Sequence, residues 1–194
     1  MDVLIDPLLP APALIIFGAG HVATALASVA TAAGFDVWVI DAREEWASPE
    51  RFPRGTAVYC ADPLDVLPSL PFSPGTFVVI TTHDHALDES TLERCLSRPW
   101  CYLGMIGSRA KAHRILARLQ ARGASPEQLQ RVTCPIGLDL GAEEPGEIAV
   151  SVVAELIRTR RRGAVGAVLP LNAQAGFPSE GTGTSVAEPA ERPS

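Results

Sequence analysis

"ALIIFGAGHVATALA", residues 13–27, sets an aliphatic run against two glycines one residue apart, a histidine and a stretch of small uncharged residues. Residues 14–17 read as a strand and residues 22–33 as a helix, so Gly18 and Gly20 fall in the turn between them. In "GAGHVA", Gly18 ends the strand and permits a tight turn. Gly20 lets a ligand reach the backbone with no Cβ in the way, and Ala23 keeps the helix close to the sheet. This is the G-x-G-x-x-G/A form of the dinucleotide fingerprint, in which the first helical amides, here at Gly20, His21 and Val22, face a phosphate. An acidic residue about 20 positions further on bonds a ribose hydroxyl in such sites, and Asp41 stands there, at the end of the next β-branched run. Asp41 disfavours a ribose 2′-phosphate and so favours NAD or another unphosphorylated ribose, a preference that Arg43 reduces. The alternative is a small-residue turn that serves packing alone.

The segment 7–35 contains no Asp, Glu, Lys or Arg and has the length of a membrane span or signal peptide. Residues 1–6 carry two aspartates and no Lys or Arg, which leaves no basic flank to orient a span. The second half of the segment is mostly Ala, Thr, Ser and Gly, which gain little from lipid. A soluble, cytoplasmic protein is therefore expected. The chain of 194 residues suffices for one sizeable core, and 47% hydrophobic with 20% charged residues is ordinary for a globular domain. A net charge of −6 offers no global positive field to a nucleic acid or an anionic membrane. The basic run Arg158, Arg160, Arg161 and Arg162 falls at the end of a helical pattern, where it complements the helix dipole. Cys60, Cys95, Cys101 and Cys134 show no CxxC spacing, so free buried thiols are expected rather than a disulfide framework or a zinc site.

Short β-branched runs alternate with longer helical patterns along the chain, the signature of parallel β-α-β units. Strands are expected at 14–17, 37–40, 57–60, 77–81 and 101–105. Helices are expected at 22–33, at 87–96, from an N-cap at Ser108 to about residue 122, briefly after Ser125-Pro126-Glu127, and at 145–161. In the last of these, Ile148, Val152 and Leu156 share a face with Ala149, Val153 and Ile157, which places that stripe against the core. The fold class is a three-layer Rossmann-like α/β domain spanning 13–171, with a five-stranded parallel sheet in the order 3-2-1-4-5 and an additional C-terminal helix. The binding crevice of such a sheet lies between the ends of its first and fourth strands. Pro7, Pro10 and Pro12 suggest an extended arm over 1–12, and the composition of 172–194 suggests a disordered tail.

Four further patches lie beyond the carboxyl ends of strands. "TTHDHALD", 81–88, brings Thr82, His83 and His85 together with Asp84 and Asp88; a binding role for His83 is favoured over a metal site, which lacks a third ligand at fixed spacing. In the competing reading His83 bonds a loop carbonyl while Asp84 and Asp88 cap the next helix. "GMIGSRAKAHR", 104–114, offers an anion cradle at Gly107, Ser108 and Arg109 with Lys111 beside it, or else a solvated basic face. "CPIGLDLGAEEPGEIAVS", 134–151, is a glycine-bearing loop in which Gly137 and Gly141 allow unusual backbone angles and Asp139 reaches toward a ligand. Its Glu143, Glu144 and Glu147 read equally as favourable charges at a helix start. In "DAREEWASPERFP", 41–53, Trp46 and Phe52 either cover an adenosine or cover the core. No GxSxG elbow is present, and Cys134 reads as a buried thiol in preference to a sulfur carrier.

Taken in order, "IIFGAGHVATALA", "VIDAREEWA…RFP", "TTHDHALD", "GMIGSRAK" and "PIGLDLGAEEPGEIAVSVVAELI" resemble the C-terminal Rossmann domain of the XdhC/CoxI family of xanthine dehydrogenase accessory proteins. The resemblance covers residues 13–161. It implies an accessory protein rather than an enzyme: one that binds molybdenum cofactor, assists its sulfuration with a cysteine desulfurase, and delivers it to apo-enzymes of the xanthine dehydrogenase type. Matching positions are Gly18, Gly20, His21, Ala23, Asp41, Arg43, His83, His85, Asp88, Gly107, Ser108, Arg109, Pro135, Gly137 and Asp139. Full-length members also carry an N-terminal domain with a Gly-Gly-Cys motif, whereas here residues 1–12 precede the first strand. Partners by this resemblance are the apo-enzyme and the desulfurase, with a homodimer also expected. The rival functions are an NAD-dependent oxidoreductase using His83 or His85 as acid-base group, and a nucleotide-sensing module without turnover.

Overall fold

A computed structural model describes residues 10–162. Most of the expected arm, the end of the domain at 171 and the expected tail at 172–194 lie outside the described residues. The elements run β1 (Ala13–Phe17), α1 (His21–Ala32), β2 (Asp36–Asp41), β3 (Ala57–Cys60), α2 (Pro63–Val66), β4 (Phe77–Ile80), α3 (His85–Leu96), β5 (Tyr102–Met105), α4 (Arg109–Ala121), α5 (Pro126–Gln130), β6 (Val132–Thr133) and α6 (Pro145–Arg162). All pairings are parallel and the sheet order is β3-β2-β1-β4-β5-β6.

The strand order expected from the sequence is correct, but among the described residues the sheet has six strands rather than five. β6 is two residues long and pairs only through Leu103–Val132 and Gly104–Thr133, too short a run to show any alternation. α2 was also missed, although Asp62 followed by Pro63 is a cap-then-proline signal; the Asp62 carboxylate accepts from the Leu64 amide at 2.8 Å.

Both faces of the sheet are covered, which is why β1 and β4 are apolar at every position. Leu14, Ile16, Phe77 and Val79 point to a core shared with α1 and α6, while Ile15, Phe17, Val78 and Ile80 point to one shared with α3, α4 and α5. Between sheet and α6, α1 buries Ala23, Leu26, Ala27 and Ala30; the three alanines let the helices pack closely, and this burial explains the uncharged stretch. On α6, Ala149, Val152, Val153 and Leu156 are buried as the periodicity required. Its basic end is put to use in packing. Arg160 donates to the Ala33 carbonyl at 3.2 Å and lies over the Phe35 ring, fastening the end of α6 to that of α1. No helix among the described residues is long and apolar enough to cross a membrane.

Candidate functional site

The order of the strands reverses between β1 and β4, and the loops leaving their carboxyl ends form the crevice predicted for this topology. Gly18 has φ +107°, and a Cβ there would stand 2.5 Å from the Thr81 carbonyl oxygen, so only glycine closes this turn. Gly20 differs: a Cβ there would meet nothing within 4 Å. It is the N-cap of α1 and supplies no side-chain hydrogen bond to the helix. The N-termini of α2, α3, α4 and α5, by contrast, are capped by Asp62, Asp84, Ser108 and Ser125. The amides of His21, Val22 and Ala23 therefore open toward the space in front of Gly20, with no acceptor in their own helix.

Asp41 is buried, and its carboxylate is fully engaged within the chain. Oδ2 accepts from Ala19 N and Arg43 Nη2, both at 2.8 Å, and Oδ1 accepts from Arg43 Nε at 2.9 Å and Arg43 N at 3.0 Å. Four donors fill the four acceptor positions of a carboxylate. Burial opposes its ionisation, but the hydrogen bonds from Arg43 and Ala19 outweigh that and hold the carboxyl below its ordinary value. A ribose hydroxyl would have to displace Arg43 to reach it. The observed role is to lock the glycine turn. Arg51 completes the lock by donating Nη1 to Ala19 O at 3.1 Å and to Trp46 O at 2.8 Å. Trp46 lies under the Arg43 and Arg51 guanidiniums and meets the His21 ring edge-on at 5.2 Å, which gives His21 a partner. Phe52 joins the core.

Across the crevice, Asp84 caps α3 as anticipated, accepting from Ala86 N at 2.8 Å, and His83 and His85 are exposed. Asp88 does not cap. It is turned inward and fully buried, with Oδ1 accepting from Thr82 Oγ1 at 2.6 Å and Thr82 N at 3.2 Å and Oδ2 from Lys111 Nζ at 2.5 Å. Lys111 is thus neither an exposed cation nor part of an anion cradle; it joins the loop after β4 to the loop after β5, where Nζ also donates to Ile106 O at 3.3 Å. Gly107 makes room for it, since a Cβ there would lie 2.8 Å from Lys111 Cδ. Among the described residues no group of three or more His, Cys, Asp or Glu is arranged to hold a metal ion.

The crevice beside Gly18, Asp41, Thr82 and His83 encloses only about 20 Å³. The large cavity, about 760 Å³, lies at the carboxyl ends of β5 and β6, against α6. Of the residues singled out in the sequence, Gly107, Arg109, Gly137 and Asp139 line it, whereas Gly18, Asp41, Thr82 and His83 line the crevice. These residues therefore fall into two places rather than one, and Gly20, His21, Val22, Ala23, Arg43, His85 and Ser108 line neither. The loop floor of the cavity is fixed to α6: Gly137 N donates to Glu155 Oε2 at 2.8 Å, the buried Tyr102 hydroxyl donates to the same oxygen at 2.8 Å, and Leu138 N donates to Ser151 O at 3.1 Å. A Cβ on Gly137, whose φ is +93°, would stand 2.4 Å from Ser151 Oγ. Glu147 caps α6, accepting from Glu143 N at 3.0 Å and Glu144 N at 3.2 Å, so the acidic run there is a helix start.

Cys134 lines the cavity half-buried, and desolvation pushes its thiol up to about 11, with Asp88 adding to the rise and Lys111 opposing it. The cysteines are not uniformly buried as the sequence suggested: Cys95 is, Cys101 and Cys134 are partly so, and Cys60 is exposed because it ends β3 on the sheet's edge.

The chain matches the XdhC Rossmann domain family over residues 14–156. It is 37% identical over 164 residues to a Bacillus subtilis protein described as a probable xanthine dehydrogenase subunit, covering 84% of this chain and 48% of that protein. It is 26% identical over 151 residues to the molybdenum cofactor insertion chaperone PaoD of Escherichia coli, covering 78% of this chain and 41% of that one. A solved structure of a xanthine dehydrogenase from Bacillus halodurans superposes with a TM-score of 0.68 at 32% identity, over 82% of this chain and 48% of the other. The chain spans about half or less of the length of these relatives.

Proposed function

The chain belongs to the family of the XdhC Rossmann domain, and from that membership we propose that it serves the maturation of xanthine dehydrogenase-type molybdoenzymes by holding a phosphate-bearing ligand, a nucleotide such as NAD or the molybdenum cofactor itself. The observation that carries this reading is the start of α1, with no side-chain cap, first amides that have no acceptor in their own helix, and open space at the Gly20 Cβ position. A phosphate fits that cradle. Its oxygens would accept from His21 N, Val22 N and Ala23 N, and the helix dipole would add about 0.3–1 kcal/mol. Such a contribution positions a ligand without providing chemistry, which suits an accessory protein better than an oxidoreductase. Delivery to an apo-enzyme, with sulfur drawn from a partner cysteine desulfurase, completes the proposal. The chain's own Cys134 is a poor carrier, because a thiol raised to about 11 is protonated at neutral pH.

Calorimetric titration with NAD, NADP, ATP and molybdopterin tests this. Binding of at least one, lost in Gly20→Val with the fold intact, is the expected result. If none binds, or if binding survives Gly20→Val, the cradle reading fails; hydride transfer to a small substrate would replace it with an oxidoreductase.

A further inference from the structure

We propose that β3 is the edge through which two copies of this chain pair, antiparallel across a twofold axis at Val58, so that their two sheets join into one. Among the described residues β3 has β2 as its only neighbour in the sheet, and the opposite edge, β6, is two residues long. β3 carries none of the devices that keep a sheet edge single: Ala57–Cys60 contains no charge and no proline, and its register with β2 runs without a bulge. Its second half is exposed. There Tyr59, stacked on Trp38 with ring centroids 5.8 Å apart, is one of the few large apolar side chains left in solvent.

The backbone fixes which residues can pair. Ala61 N donates to the Asp41 carbonyl at 3.1 Å, so Ala57, Tyr59 and Ala61 direct their backbone groups at β2, while Val58 and Cys60 direct theirs outward. A second copy can therefore bond only to the even-numbered positions of β3. Centred on Val58, an antiparallel pair joins Val58 to Val58 and Cys60 to Thr56; the Thr56 N–H is held by the Pro53 carbonyl at 3.1 Å, which leaves the Thr56 carbonyl to accept from Cys60 N. The charges single out this register. It sets Arg54, in the turn before β3, opposite Asp62, the N-cap of α2 just after it, and symmetry makes the match twice. Both residues are exposed and neither forms an ion pair among the described residues; Asp62 gives Oδ1 to Leu64 N and keeps Oδ2. A twofold at Tyr59 would set Arg54 opposite Leu64 instead. On the sheet face Tyr59 comes opposite Ala57, whose methyl leaves space for the ring, so the Trp38–Tyr59 stack extends over the joint. Pairing engages the backbone of Cys60 and not its thiol.

Sedimentation velocity on the full chain, from about 1 μM to about 1 mM, is expected to show monomer passing to dimer, as suits a small interface. Over the same range the amides of Val58 and Cys60 should change from fast to slow deuterium exchange. Val58→Pro, tolerated where an edge N–H faces solvent, should leave a monomer at every concentration. Arg54→Glu, at an exposed position, should weaken association about tenfold. Unfolding midpoints verify that both variants fold. Oxidation with copper phenanthroline reads the register: Val58→Cys in a Cys60→Ser background should crosslink, because the paired Cα atoms lie about 5.5 Å apart, whereas the Cys60 thiols of the wild type stand on residues roughly 13 Å apart and should not. A chain that is monomeric throughout overturns the proposal. So do Val58 and Cys60 amides that exchange slowly at every concentration, which would mean that another part of the same chain covers β3. A dimer that withstands both Val58→Pro and Arg54→Glu, or that crosslinks through Cys60, overturns it as well.

Discussion

The glycine turn and the cavity beside β6 lie at the same end of one sheet and are built on opposite principles. In the turn the distinguishing features are backbone ones: φ at Gly18, open space at Gly20, amides of α1 without a capping side chain. Almost no volume is enclosed, and the one conspicuous side chain, Asp41, is spent on Arg43 and Ala19. In the cavity the order is inverted: side chains, Glu155 above all, fix the loop to α6, and about 760 Å³ is left open beside it. The first kind of site has a compact signature in sequence because backbone geometry is local. The second has only a divided one, since its wall is drawn from two patches, 104–114 and 134–151, that nothing local joins.

The Asp88–Lys111 pair ties the two regions together, and breaking it is the largest test. Asp88→Ala leaves the Lys111 ammonium in the interior without its counter-charge, a loss expected to be about 3–5 kcal/mol. Urea unfolding measures it; a loss below about 1 kcal/mol would mean that the pair does not hold these loops. Next comes the contrast between the two glycines. Gly18→Ala forces a Cβ against the Thr81 backbone at a positive φ and should destabilise by about 1–3 kcal/mol or more, whereas Gly20→Ala should leave the thermal midpoint nearly unchanged. Equal effects would remove the distinction between a glycine the turn requires and one that a side chain could replace.

A smaller effect is expected from acid. Asp41 is held below its ordinary value in the fold, so below about pH 4 the unfolded chain takes up its proton first, and the stability this group contributes at higher pH is lost as pH falls toward the folded value. A stability profile measured from pH 6 to pH 3 should therefore fall less steeply in Asp41→Asn than in the wild type. The smallest test concerns the cavity wall: at pH 8, iodoacetamide should label exposed Cys60 well before Cys134, whose thiol is raised to about 11. Peptide mass spectrometry at successive times reads the order, and faster labelling of Cys134 would mean an activated thiol in the cavity.

Most of the fold was legible because its strands are buried on both faces and announce themselves as continuous apolar runs, as in "LIIF" and "FVVI". Helix starts at Ser108 and Ser125 were legible for an equally local reason, the capping side chain three residues from its amide. Apart from the short α2 and β6, what escaped was non-local. Lys111 looks like a surface cation until Asp88, 23 residues earlier, is seen beside it. Arg158 reads as a helix-end charge, yet it faces the cavity through Glu155, a partner that an i,i+3 acidic-basic spacing signals only weakly. Asp41 was found in the right place, but the fork of Arg43 two residues on, which occupies it, depends on a rotamer that sequence does not display.

Both peptide groups that flank Ala19 are gripped, its N–H donating to Asp41 and its carbonyl accepting from Arg51. Ordering one loop residue costs about 1–2 kcal/mol, and here that loss is settled when the domain folds rather than when a ligand arrives. Association at this turn should accordingly proceed without a conformational delay. The Ala19 amide hydrogen, though it sits in a loop, should exchange with solvent deuterium as slowly as the central strands.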